Sequence, residues 1–238
     1  MKRMMDMVNG KTLGIMLHGS SIATLDKRIH EFKDKDWVWV SVNMFNMMES
    51  HILSKITKHL SIVQCGGRVE IQRRIPHIIE FLYRKDDNMF ITTIKALGYL
   101  TQIQYDTILC KRNKIYVAPY YEEVPVPNSL SMLIDIFTKA SPKRLVLFGS
   151  DGYPINHGDD ARGKGVMKKL QLDSYYSPFV DQYFADKTRR GVAVGRDTAV
   201  FNERYENFKT DIPILNCSME SYVKPFIKIT YDEAVKLD

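Results

Sequence analysis

Apolar residues come along this chain in short dense runs, each stopped by small or polar residues and most followed by a stretch with helical spacing. Thr12–Leu17 is the first run; the turn His18-Gly19-Ser20-Ser21 ends it, and it predicts a buried strand. Ile22, Leu25, Ile29 and Phe32 then recur at three- and four-residue intervals, one stripe of an amphipathic helix. Asp36–Val42 is β-branched and aromatic and predicts a second strand, with Asn43 at its end. Met44–Ile56 reads as the next helix and Ser61–Gln64 as a third short strand, closed by Gly66-Gly67. Val69–Tyr83 carries a looser helical stripe in which Pro76 marks a kink or a helix start. Asn88–Thr93, Tyr105–Cys110 and Lys114–Ala118 predict three more strands.

Pro119, Pro125 and Pro127 make Pro119–Pro127 a connector. Leu130–Thr138 predicts a helix, and Arg144–Phe148 a strongly apolar strand that breaks off at Gly149-Ser150-Asp151-Gly152. Tyr153–Arg190 is rich in Gly, Asp, Lys and Tyr with little periodicity, the pattern of a long irregular lid or substrate loop. Ala199–Phe208 predicts a helix and Ile212–Asn216, entered through Pro213, a last strand. Thr230-Tyr231-Asp232-Glu233 has the form of an N-cap opening a short final helix. Strands alternating with helices predict an α/β fold, a mostly parallel sheet with helices on both faces, in one domain over 1–238.

Composition adds little to this picture. The 238 residues are 45% hydrophobic and 26% charged, ordinary for a globular chain. A net charge of +6 favours anionic partners. The basic clusters Lys111-Arg112 and Lys187-Thr188-Arg189-Arg190 are too short for a nucleic-acid footprint, so no nucleic acid is expected. Peripheral contact with an anionic membrane surface stays open, as does a homo-oligomer. No run approaches about 18 apolar residues, so no transmembrane helix is expected. Met1–Gly10 is polar and Met-rich, without the form of a signal peptide, and the expected location is cytoplasmic. Cys65, Cys110 and Cys217 are scattered, which fits buried thiols rather than a zinc or disulfide frame; Cys65, before Gly66-Gly67, reads as a nucleophile or an inert thiol. Met4, Met5 and Met7, with Met44, Met47 and Met48, read as helix packing and a loose N-terminus rather than a soft-metal site.

Chemistry concentrates at strand ends. In an open α/β sheet, ligands sit beyond the carboxyl ends of strands, where strand order reverses. Gly19, Ser20 and Ser21 lie between a strand and a helix start, where free N–H groups favour a phosphate. They form neither GxGxxG nor a Walker A motif, and a tight turn with a serine N-cap is the alternative. Asn43 offers an amide to a base or ribose, or serves a local turn. Asp151 is a candidate to accept from ribose hydroxyls, hold Mg²⁺ or act as a base; the alternative is an Asx-turn or helix cap. His157, near Asp159 and Asp160, is a candidate general acid or base, or part of a surface loop. Tyr175, Tyr176, Tyr183 and Phe184 are suited to stack a sugar or base, or to anchor a loop.

Taken together, the pieces LHGSSIATLD (Leu17–Asp26), SVNMF (Ser41–Phe45), NSLSMLIDIFTKASPKRLVLFGSDGY (Asn128–Tyr153) and ILNCSMESYVKPFIKITYDEA (Ile214–Ala234) carry a resemblance. Their order resembles the bacterial sialyltransferase-like group and the related domain-of-unknown-function-115 group, which includes 6-hydroxymethylpterin diphosphokinases. The resemblance implies a Rossmann-like sheet holding a nucleotide or nucleotide-sugar at Gly19, Ser20, Ser21, Asn43, Ser129, Gly149 and Asp151. It implies a glycosyltransferase-like enzyme in surface glycan synthesis, with a glycan acceptor, Tyr153–Arg190 closing over it, and His157 and Asp151 as the candidate catalytic residues. The chain departs from the group at His18 and Ser20, lacks a Pro before Ser21, and has His157 as its only His after Asp151. The alternatives are a Mg²⁺-dependent diphosphokinase, with Asp151 and Asp159 or Asp160 on the metal, and a non-catalytic nucleotide-binding protein.

Overall fold

The computed structural model describes residues 2–17, 19, 21–42, 45, 50–56, 60–63, 68–84, 88–118, 129–152 and 191–238. Eight strands form one sheet: β1 (Thr12–Met16), β2 (Trp37–Val42), β3 (Leu60–Val63), β4 (Met89–Thr93), β5 (Ile115–Ala118), β6 (Arg144–Phe148), β7 (Ile214–Asn216) and β8 (Ile227–Lys228). Their order is β5-β4-β3-β2-β1-β6-β7-β8, and every pairing is parallel. The chain starts in the middle, winds outward to β5, returns to the other side of β1 as β6, and winds out to β8. The order reverses between β1 and β6, which pair from Thr12↔Arg144 to Met16↔Phe148. This is the α/β, Rossmann-like class that the alternating pattern predicts.

Helices cover both faces, because each central strand is buried on both sides. One face carries Leu13, Ile15, Val38, Val40, Leu145 and Leu147. Against it pack α1 (Lys2–Val8), α7 (Ser129–Phe137) and α8 (Gly191–Tyr205). The other face carries Met16, Trp37, Trp39, Val146 and Phe148, and its cluster includes residues of α2 (Ile22–Arg28), α3 (Ser50–Ser54), α4 (Arg68–Arg84), α5 (Ile94–Leu97), α6 (Gln102–Leu109) and α9 (Tyr231–Lys236). On this second face Phe148 stacks between Trp39, at 5.6 Å, and Tyr231, at 5.5 Å, so the first residue of α9 is tied to the centre of the sheet.

Three elements differ from the sequence pattern. Tyr105–Cys110 is not a strand; Tyr105–Leu109 lies within α6 and Cys110 caps its end, and Thr101 opens the helix with a capping box, its hydroxyl accepting from Gln104 N–H while the Gln104 side chain accepts from Thr101 N–H. The amino-terminal stretch is not loose: it is α1, and Met4 and Val8, one helical turn apart, are fully buried. Ile214–Asn216 is not the last strand, since β8 pairs beyond it through Leu215↔Ile227 and Asn216↔Lys228. The helix predicted over Ala199–Phe208 ends at Tyr205 and begins at Gly191. Pro76 lies inside α4, which runs on to Arg84. The expected connector Pro119–Pro127 and the lid-like Tyr153–Arg190 lie outside the described residues, as do Cys65, Met44, Met47 and Met48.

Candidate functional site

Because all strands run parallel, the turns after β1, β6 and β7 open on the same edge of the sheet. The β1–β6 ladder continues past the strand ends: Leu17 N–H donates to Phe148 O at 2.8 Å and Gly19 N–H to Gly149 O at 2.9 Å. Two glycines make this approach possible. Gly149 has φ 69°, and a Cβ there would run into the Leu17 carbonyl oxygen and sit 3.2 Å from Ile22 Cβ. A Cβ on Gly19 would lie 2.5 Å from the Asp151 carboxylate and from Gly149 O. The space that Gly19 leaves is therefore filled by Asp151.

Asp151 and Ser21 close the switch point. Ser21 N–H donates to Asp151 Oδ2 at 2.9 Å, and the Ser21 hydroxyl donates to Asp151 Oδ1 in a short bond. Ser21 is also the N-cap of α2, but its side chain makes no cap bond within that helix. A charged acceptor taking two donors from one residue is a strong tie. Of the sequence-predicted residues, the structure thus brings Gly19, Ser21, Gly149 and Asp151 into one cluster. Ser129 is buried at the first residue of α7, a helix packed on the face opposite α2. His18, Ser20, Asn43 and His157 lie outside the described residues, as do the aromatic residues Tyr175, Tyr176, Tyr183 and Phe184.

A third wall comes from the turn after β7. Ser218 Oγ lies 2.7 Å from Ser21 Oγ. Ser21 gives its one hydroxyl proton to Asp151, so Ser218 is the donor to Ser21. Asn216 holds this turn to β6 through both ends of its amide: Nδ2 donates to Ser150 O at 3.2 Å, and Oδ1 accepts from Ser218 N–H at 3.0 Å. Ser221 Oγ reaches Ser150 O and Asp151 O, and Tyr222 N–H donates to Asp151 O at 2.6 Å. From the α9 side, Tyr231 OH donates to Ser21 O at 3.2 Å. The Ser150 hydroxyl, buried at the centre, has no hydrogen-bond partner among the described residues.

Ser218, Asn216, Ser221 and Tyr231 have no assigned role in the sequence reading. The signal for the first three is the one that marks Gly149–Asp151: an apolar strand stopped by small polar residues, here Asn216-Cys217-Ser218. Tyr231 has no such signal, being 210 positions from Ser21 on a terminal helix. Burial acts on two groups below the cluster. It pushes the Cys217 thiol up to about 12, with Glu233 adding to the effect. It also raises the Tyr231 phenol, with Cys217 and Asp151 contributing. Cys217 is therefore a protonated, inert thiol.

Among the described residues no three His, Cys, Asp or Glu side chains gather as metal ligands; Asp159 and Asp160, the partners expected for Asp151 on Mg²⁺, lie outside them. No helix among the described residues is long and apolar enough to cross a membrane. Comparison with family models, curated proteins and solved structures gives no match to this chain.

Proposed function

We propose that this chain is a glycosyltransferase-like enzyme that holds a nucleotide or nucleotide-sugar in the crevice beyond β1, β6 and β7 and passes the sugar to a glycan acceptor. The observation that carries the reading is placement. The strand order reverses between β1 and β6, the position where open parallel sheets take their ligands, and the polar turns meet there through Ser21 and Asp151. Of the residues behind the sialyltransferase-like resemblance, Gly19, Ser21, Gly149 and Asp151 lie on those turns and Asn216 ends β7, whereas Ser129 opens α7 on the other face of the sheet and Ser20 and Asn43 lie outside the described residues. In this reading Asp151 holds the ligand and the β1 turn together, and His157 is the candidate base for the acceptor hydroxyl.

A thermal-shift series with CMP-, UDP- and GDP-sugars and ATP, each with and without Mg²⁺, tests it. A ligand at 100 times its Kd adds about 2.7 kcal/mol, roughly 5–10 °C for a chain of this size. Response to one nucleotide sugar is the expected result. No response to any of the three refutes the transferase reading, and a Mg²⁺-dependent response to ATP alone moves the chain to the diphosphokinase class.

A further inference from the structure

The helix α9 reaches the candidate site through one buried side chain. Tyr231, its first residue, packs its ring against Phe148 of β6 and donates its hydroxyl to Ser21 O at 3.2 Å. Three features fix that ring. Thr230 opens α9 with a capping box: its hydroxyl accepts from Glu233 N–H at 3.2 Å, and the Glu233 carboxylate accepts from Thr230 N–H at 2.7 Å. Arg28 of α2 bridges to Asp232 at 2.6 Å and lies over the Tyr231 ring at 5.9 Å. Ile229 N–H donates to Asn216 O at 3.0 Å and so ties the approach to α9 to the end of β7. At the other end of the bond, Ser21 is held through both of its peptide planes. Its N–H belongs to the plane before it and is given to Asp151. Its carbonyl belongs to the plane after it and accepts from Tyr231. Peptide planes are rigid, so fixing both leaves the Ser21 backbone little freedom. The plane after Ser21 also makes two local bonds, Thr24 N–H to Ser21 O and Ile22 N–H to Gly19 O, both at 3.0 Å. Those bonds lie within the turn and move with it. Among the described residues, Tyr231 is what ties that plane to another element.

We propose that Tyr231 is a positioning residue for the nucleotide or nucleotide-sugar site. Its hydroxyl fixes the plane after Ser21, and with it the angle at which the β1 turn and the start of α2 meet the ligand. The inference rests on the nucleotide reading above and adds a residue of α9 to the support of that site. A turn set before binding spares the ligand the cost of ordering it. When the hydroxyl is removed and the ring kept, the ligand has to order the turn itself. Affinity then falls while the packing on Phe148 remains.

The test is Tyr231→Phe, with Tyr205→Phe as its control. Both variants keep a buried ring and lose a phenol donor. The Tyr205 hydroxyl serves Asp135 and Ser131 of α7, on the other face of the sheet. Calorimetry with CMP-, UDP- and GDP-sugars and with ATP plus Mg²⁺ reads affinity, and thermal melts read stability. Both variants are expected to melt below wild type. Tyr231→Phe is expected to bind the wild type's ligand about fivefold more weakly, the worth of one neutral hydrogen bond, and Tyr205→Phe to bind it as wild type does. Unchanged affinity in Tyr231→Phe, or an equal loss in both variants, overturns the inference and leaves the nucleotide reading standing. No binding of any of the four probes to the wild-type chain overturns both. If Tyr231→Phe does not fold, native-state hydrogen exchange on the wild-type chain decides. The Ser21 amide and the amides of α9 are then expected to open together, with one dependence on denaturant. A Ser21 amide that stays protected after α9 has opened overturns the proposal.

Discussion

Gly149→Ala tests whether the switch point is held as closely as its hydrogen bonds require. Two effects add. Gly149 sits at φ 69°, and an L side chain in the left-handed region costs about 1–2 kcal/mol. The new methyl also meets backbone: the Leu17 carbonyl oxygen lies inside contact distance and the Leu17 carbonyl carbon at 3.0 Å. Backbone cannot rotate away as a side-chain end can, so the strand ends must part, at an overpacking cost of about 1–3 kcal/mol. Against this stands about 0.4–1 kcal/mol gained by restricting the unfolded chain. The net is a loss of about 1–4.5 kcal/mol, or roughly 2–18 °C in Tm for a chain of this length.

Gly10→Ala supplies the control. Gly10 has φ 68°, nearly the same backbone strain, but nothing lies within 4 Å of its Cβ position. The strain and the unfolded-state gain apply to both variants, so the difference between them isolates the clash. Gly10→Ala is expected to lose about 0–1.6 kcal/mol. Thermal melts of both variants read the comparison. Equal losses would refute the close approach of Leu17 to Gly149, and with it the extension of the β1–β6 ladder that places Ser21 against Asp151.

Three further outcomes follow from other parts of the fold. Tyr205→Phe removes a hydroxyl whose single proton is shared between Asp135 Oδ1 at 2.9 Å and Ser131 O at 3.1 Å, so the urea midpoint should fall by the equivalent of about 2 kcal/mol with an unchanged slope. Thr101→Ala removes the hydroxyl arm of the capping box of α6, at about 1 kcal/mol, and should speed hydrogen exchange in α6 while leaving β1 protected; unchanged exchange in α6 would count against the helix assignment. Stability should fall as pH rises above about 9, because the Cys217 thiol, raised from 9.0 to about 12 by burial, keeps its proton in the folded chain where the unfolded chain sheds it. Its contribution is complete below the unfolded value and is lost between the two, with a slope of up to about 1.4 kcal/mol per pH unit. Cys217→Ala should flatten urea-melt stability between pH 8 and 10.5 relative to wild type, and an identical slope in the two proteins would refute the assignment.

The central strands were legible because burial on both faces turns them into uninterrupted apolar runs, and Arg144–Phe148 has the bounds that its pattern predicts. Where the pattern misleads, a local interaction decides. Tyr105–Cys110 has strand-like composition, but α6 buries only Ile108, and the Thr101–Gln104 box organises the helix without an apolar stripe. β8 leaves no hydrophobic signal, since both its residues are exposed; backbone pairing with β7 alone makes it a strand. In α1 the signal existed, Met4 and Val8 at helical spacing, but methionine is uninformative in a short charged segment. In the site, Gly19, Ser21, Gly149 and Asp151 were legible as strand-end turns, whereas the Asp151–Ser21 bonding was not. Which of two turns receives the other's donors depends on strand order, and strand order is a tertiary fact.

That bonding also explains how the turns after β1, β6 and β7 are held together. Ser21 is held from three sides, by Asp151 of the β6 turn, Ser218 of the β7 turn and Tyr231 of α9. Side chains fixed before a ligand arrives lose little further freedom when it binds, which is the general source of affinity in a preorganised site. Loosening the Ser21–Asp151 tie gives up that fixed geometry, because Ser21 then keeps only its contacts with Ser218 and Tyr231.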